Sequence, residues 1–76
     1  MKWKQITTET SVTPAEGTPT HAVGFDHGSG GVAAHWRAYR VGRSRLRHLG
    51  NFTRATDAKA ACELEAARLT REPAAG

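Results

Sequence analysis

The residues with most chemical potential are six arginines within residues 27–56: Arg37, Arg40, Arg43, Arg45, Arg47 and Arg54. No acid accompanies them, so this segment carries a net +6, while residues 1–26 and 57–76 each carry −1. The whole chain therefore totals only +4, with a pI near 10. Clustered guanidinium groups raise the local positive potential and attract polyanions, nucleic acid first among them. His35, Tyr39 and His48 lie among these arginines. Side chains of that kind can reach bases while the cations meet phosphates. The candidate nucleic-acid contacts are thus Arg37, Tyr39, Arg40, Arg43, Arg45, Arg47, His35 and His48. The plain alternative is a solvated surface hairpin in an arginine-rich proteome.

Other chemistry finds less support. His21, His27, His35 and His48 match no finger or helical metal motif, and the single cysteine, Cys62, adds no second thiolate. The glycines of His27-Gly28-Ser29-Gly30-Gly31 are not followed by the Lys-Ser/Thr pair of a phosphate-binding loop. Glu63 and Glu65 fall on different faces of any helix, so they do not form an acid–base pair. No Ser/His/Asp constellation can be assembled from strand ends. No metal, cofactor or enzymatic activity is expected. No apolar run approaches the length of a signal peptide or a membrane span, and no basic amphipathic helix suggests membrane association.

These side chains must be positioned by a small fold. Seventy-six residues allow one domain with a thin core. A lone cysteine excludes an internal disulfide framework, which makes a reducing cytoplasm the expected compartment. The bias to Arg, Ala and Gly is what GC-rich codons produce, pointing to a high-GC bacterium or one of its phages.

Residues 1–20 read as a short N-terminal edge strand (1–6) and a Thr/Pro-rich loop (7–20). Residues 21–71 read as a βββα domain, and 72–76 as a tail. His21–Asp26 alternates Val23 and Phe25 with Ala22 and Gly24, the period of a strand. Residues 27–31 form a hairpin loop, Val32–Val41 the central strand, and Ser44–Gly50 the third. A helix follows from about Arg54 to Arg71, with Thr53 as the expected N-cap and Asp57 complementing the dipole. Its inner stripe is Ala58, Ala61, Cys62, Glu65 and Leu69, flanked by Leu64. Such small residues let a helix lie close over a sheet, with Val23, Phe25, Trp36, Leu49 and Phe52 supplying the bulk of the core. Cys62 reads as a buried small apolar residue.

The turn near Gly42 decides which side chains face outward. A two-residue Gly42-Arg43 turn, Gly first as a type II′ turn prefers, pairs Val41 with Ser44 and Trp36 with Leu49. His35, Arg37, Tyr39, Val41, Leu46 and His48 then face away from the helix. Arg40, Arg45 and Arg47 share the helix side and escape near Glu63 or Glu65. A three-residue Gly42-Arg43-Ser44 turn instead puts Arg37, Tyr39, Arg45, Arg47 and Leu49 outward, because one residue of register exchanges the faces. The turn preference favours the two-residue form.

Three segments form an ordered pattern: Trp36-Arg37-Ala38, Leu49-Gly50-Asn51-Phe52-Thr53 and Asp57-Ala58-Lys59-Ala60-Ala61. Over residues 20–70 it resembles the AP2-type DNA-binding fold, also seen in the N-terminal arm-binding domains of phage and transposon integrases. The resemblance implies an α+β fold of three antiparallel strands packed against one C-terminal helix, here with a possible fourth N-terminal edge strand. It also implies a sheet able to enter the major groove of DNA. The chain is similar in style, too, to small proteins of unknown role encoded by actinobacterial phages.

Two functions follow as expectations. One is a small nucleic-acid-binding protein, acting on DNA through a basic β-hairpin. The other is a protein-interaction module, such as a phage modulator of a host protein, using Tyr39, Val41 and Leu46 on the outer sheet face. Either would act in the cytoplasm, that of the host if phage-encoded.

Overall fold

In the computed structural model, which describes residues 2–71, five antiparallel strands form one open sheet backed by one helix. The elements are β1 (Lys4–Thr7), β2 (Thr10–Thr13), β3 (His21–Asp26), β4 (His35–Val41), β5 (Leu46–Phe52) and α1 (Ala55–Arg71). The strands lie in chain order, an up-and-down meander, and α1 packs against β3, β4 and β5. The α+β class is as expected, but the sheet has five strands rather than three or four.

The additional strand is β2, within the expected 7–20 loop. Thr10, Val12 and Thr13 are β-branched and suit a strand. The segment escapes a hydrophobic count because its inward positions are Ser11 and Thr13, at 8% and 0% exposure. Burying hydroxyls requires partners, and Thr13 Oγ1 donates to the Lys2 carbonyl at 2.6 Å. β1 is the edge strand anticipated near the N-terminus, bulged about Ile6.

Period two in β3 places His21, Val23 and Phe25 toward the helix. Val23 is 1% exposed, and burying such a side chain stabilises by about 1.5–3 kcal/mol. The following loop closes on a turn in which Val32 N–H donates to the Ser29 carbonyl at 2.9 Å. Gly30 and Gly31 at its centre both have positive φ, as a type I′ turn requires. Gly28 is equally constrained: a Cβ there would stand 2.3 Å from the Val32 carbonyl oxygen. This loop takes up residues 32–34, so β4 begins at His35, not Val32.

Neither expected Gly42 turn forms. Val41 pairs with Leu46 across a four-residue connection, in which Gly42 N–H donates to the Arg45 carbonyl at 2.9 Å. From the loop the pairs run Val41–Leu46, Arg40–Arg47 and Tyr39–His48; Leu49 then bulges, and pairing resumes as Ala38–Gly50, Arg37–Asn51 and Trp36–Phe52. Trp36 therefore lies opposite Phe52 rather than Leu49. A four-residue loop differs from a two-residue one by two, so the faces near the loop match the two-residue expectation. Arg45 leaves the strand and stands in the loop.

The core is small. Val23, Ala38, Ala58 and Cys62 are buried, and Trp3, Trp36, Leu49, Phe52 and Ala61 pack around them. Small residues on both surfaces draw the helix close: Cys62 Sγ lies 3.7 Å from the Ala22 carbonyl and 3.9 Å from that of Tyr39. Burial pushes the thiol's pKa up to about 11. On the expected inner stripe, Ala58 and Cys62 are buried, whereas Leu69 is 39% exposed. The helix N-cap is Arg54, whose carbonyl accepts the first bond from Ala58 N–H, and not Thr53. Trp3 was unanticipated in the core; its indole N–H donates to Glu63 at 3.0 Å, and Lys59 lies over its ring. The expected 72–76 tail lies outside the described residues.

Candidate nucleic-acid interface

The one helix covers one face of the sheet and leaves the other without a covering element among the described residues. Strand alternation puts His35, Arg37, Tyr39 and Val41 of β4 on that outer face. Cross-strand register adds Leu46, His48 and Asn51 from β5, and Ala22, Gly24 and Asp26 from β3.

Arg37 is the centre of a fixed polar array here. Its Nη2 lies 2.6 Å from Asp26 Oδ2, its Nε donates to His35 Nε2 at 3.2 Å, and its Nη1 reaches the Tyr39 hydroxyl at 3.5 Å. Asp26 is anchored in turn, its Oδ1 accepting Gly28 N–H at 2.7 Å. That backbone bond, with the nearby Arg37 cation, holds the carboxyl pKa below its ordinary value. The Tyr39 hydroxyl, with Asp26, raises that of Arg37. Across the hairpin, the Tyr39 and His48 rings sit 5.6 Å apart, and His48 Nε2 lies 2.6 Å from Asn51 Oδ1.

Four more arginines gather at the opposite end of the hairpin, while Arg54 stands at the start of the helix. Arg43 and Arg45 are exposed in the connecting loop. Arg40 and Arg47 are direct cross-strand partners on the helix side, and His21 continues their row on β3. Neither Glu63 nor Glu65 serves these arginines as expected: Glu63 accepts from Trp3, and Glu65 lies 3.0 Å from His21 Nε2. Among the described residues Arg40, Arg43, Arg45 and Arg47 have no acidic partner.

The eight candidate residues thus divide into two groups. His35, Arg37, Tyr39 and His48 share the outer face, while Arg40, Arg43, Arg45 and Arg47 crowd the loop end. Sequence reasoning missed Asp26 and Asn51, which complete the outer array. Asp26 was visible as the last residue of a strand before a glycine loop, where an Asp side chain commonly takes a backbone N–H two residues on. His27 Nε2 lies 2.6 Å from Glu9 Oε1.

No group of three or more His, Cys, Asp or Glu among the described residues could hold a metal ion. No described helix is long and apolar enough to cross a membrane. The fold and surface define an open antiparallel sheet with one helix behind it and an arginine-rich hairpin end. Set against known proteins, the chain matches no family model, no curated protein and no solved structure.

Proposed function

We propose that this protein binds nucleic acid, with DNA the primary candidate, through the arginine-bearing end of the β4–β5 hairpin. One observation carries the reading: Arg40 stands directly opposite Arg47, beside exposed Arg43 and Arg45, with no acidic partner for the four among the described residues. Like charges directly opposite on a sheet are destabilising. A bound polyanion relieves that repulsion, so the same arrangement that costs stability favours phosphate. The AP2-type resemblance supports the reading, since an uncovered sheet with one helix behind it suits insertion into a groove. On this reading the protein is a binding module rather than an enzyme, acting in the cytoplasm, of a host if the source is a phage.

The test is titration of labelled duplex DNA at two salt concentrations. Binding should weaken with salt, with a slope near −0.9 per phosphate neutralised. An Arg43→Ala/Arg45→Ala double variant should bind less and show a shallower slope. Absence of binding at low salt and high protein concentration overturns the proposal.

A second reading rests on Leu46, 56% exposed and paired with Val41 on the outer face beyond Tyr39. Those side chains suit a protein partner, in the simplest case a host protein. Light scattering after size exclusion and pull-down from host lysate test it; a clean monomer that captures nothing counts against it.

A further inference from the structure

The outer face carries a shallow depression of about 300 Å³ between β3 and β4, lined by Gly24, Phe25, Asp26, His27, Arg37 and Tyr39. It exists because the β3 residues opposite Tyr39 and Arg37 are Ala22 and Gly24. These small residues leave an open trough beside the Tyr39 ring, where a larger side chain would lie across the sheet.

We propose that this trough is a nucleobase site and that the preferred ligand is single-stranded nucleic acid, one base stacking beside Tyr39 while its edge meets the Asp26–Arg37 pair. The inference rests on the nucleic-acid reading above and adds to it the form of the ligand.

Three features of the site support it. Tyr39 offers an aromatic ring, supported across the hairpin by His48 at 5.6 Å with the two planes tilted by 52°. Stacking on such a surface requires an unpaired base, because the faces of a base inside a duplex are already covered. Next, Asp26 accepts and Arg37 donates, side by side at 2.6 Å. A carboxylate oxygen retains lone pairs after one bond, and a guanidinium has five N–H donors. Each base carries a donor next to an acceptor on its exposed edge, so the pair suits many bases and selects strongly for none. Last, the trough lies along β4 from the arginine-rich loop. Arg37 and Val41 are four residues apart, about 14 Å at a strand's rise of ~3.4 Å per residue. A single strand with a base in the trough can therefore run its phosphates along the hairpin toward Arg43 and Arg45.

The experiment measures anisotropy of a short labelled mixed-sequence single strand and of its duplex, at equal salt. The wild-type protein should bind the single strand more tightly. Tyr39→Leu should weaken single-strand binding about tenfold, the scale of one lost base stack, and weaken duplex binding by a clearly smaller factor. Tyr39→Phe retains the ring and should bind the single strand nearly as wild type does. Far-UV circular dichroism confirms that the variants fold. As a readout independent of any substitution, amide shifts of the wild-type protein titrated with the single strand should include Gly24, Arg37 and Tyr39. Equal or tighter duplex binding, an unaffected Tyr39→Leu, or shifts confined to residues 42–47 would overturn the inference. If Arg43→Ala/Arg45→Ala weakens both ligands while Tyr39→Leu alters neither, the trough is wrong and the nucleic-acid reading stands. Failure of both ligands to bind at low salt overturns the two together.

Discussion

His21 and Glu65 meet between the sheet and the helix, Nε2 to Oε1 at 3.0 Å, with the side chains 2% and 9% exposed. The other ring nitrogen lies 3.0 Å from Thr20 Oγ1, so both nitrogens of a fully buried imidazole are engaged. An ionised carboxylate only accepts, which places a proton on Nε2. The pair ties the first strand beneath the helix to the helix's third turn.

Removing Glu65 would leave that N–H buried and unpaired. Glu65→Ala is expected to lower stability by about 1–3 kcal/mol, the cost of such an orphan. Glu65→Gln keeps a carbonyl acceptor and should cost less. Urea midpoints compare the two; equal losses would show that a neutral carbonyl cannot replace the carboxylate as the partner of His21.

The folded pKa of Asp26 is held below the ordinary value by Gly28 N–H and Arg37. A carboxyl depressed on folding contributes stability that is complete above its unfolded pKa, about 3.9, and is lost as pH falls through the lower folded value. Acid unfolding of the wild-type protein should therefore steepen below about pH 4. Asp26→Asn should flatten that limb, with little change in how stability varies between neutral pH and about pH 5. An unchanged acid limb in thermal melts across this range would count against the Asp26 contribution.

Charge at the hairpin end should set stability against binding. Arg47→Glu converts the Arg40–Arg47 repulsion into an opposite-charge pair. A gain of about 0.2–1 kcal/mol is expected. Nucleic-acid affinity should fall in the same variant. Paired denaturation and anisotropy measurements check this, and a variant that loses stability would show that Arg40 and Arg47 do not repel as their register implies.

Cys62 supplies a probe of opening. With its pKa near 11, almost no thiolate is present at neutral pH, and the sulfur is enclosed. Alkylation by iodoacetamide should be slow in the native protein and rapid in denaturant. Labelling at the rate of a free cysteine under native conditions would mean that α1 lifts from the sheet far more readily than its packing suggests.

The helix and β3 were legible in the sequence because their periods are clean. Ala58 and Cys62 fall on one stripe, and Val23 alternates with small residues. β2 was hidden because it buries Ser11 and Thr13, whose hydroxyls read as loop chemistry until a partner such as the Lys2 carbonyl is in place. Trp3 looked like part of an isolated edge strand, since its partners, Glu63 and Lys59, are about sixty residues away. At the interface, the grouping of arginines was plain, and the favoured turn already set Arg37 outward and Arg40 and Arg47 on the helix side. The four-residue loop that takes Arg45 out of the strand and the bulge at Leu49 were not legible, since neither has a strong local signature. Gly42 invited a tighter turn than the one that forms.

The Leu49 bulge has a further effect. In an unbroken strand His48 and Phe52, four residues apart, would have to face the same way. With one extra residue between them, β5 is read in two frames: Phe52 joins Trp36 in the interior while His48 joins Tyr39 outside. The frame change separates the segment that builds the core from the segment that carries the arginines. Substitutions on the loop side of Leu49 can then retune the protein's charge without reshaping its interior, so affinity and foldability are set by different stretches of one hairpin.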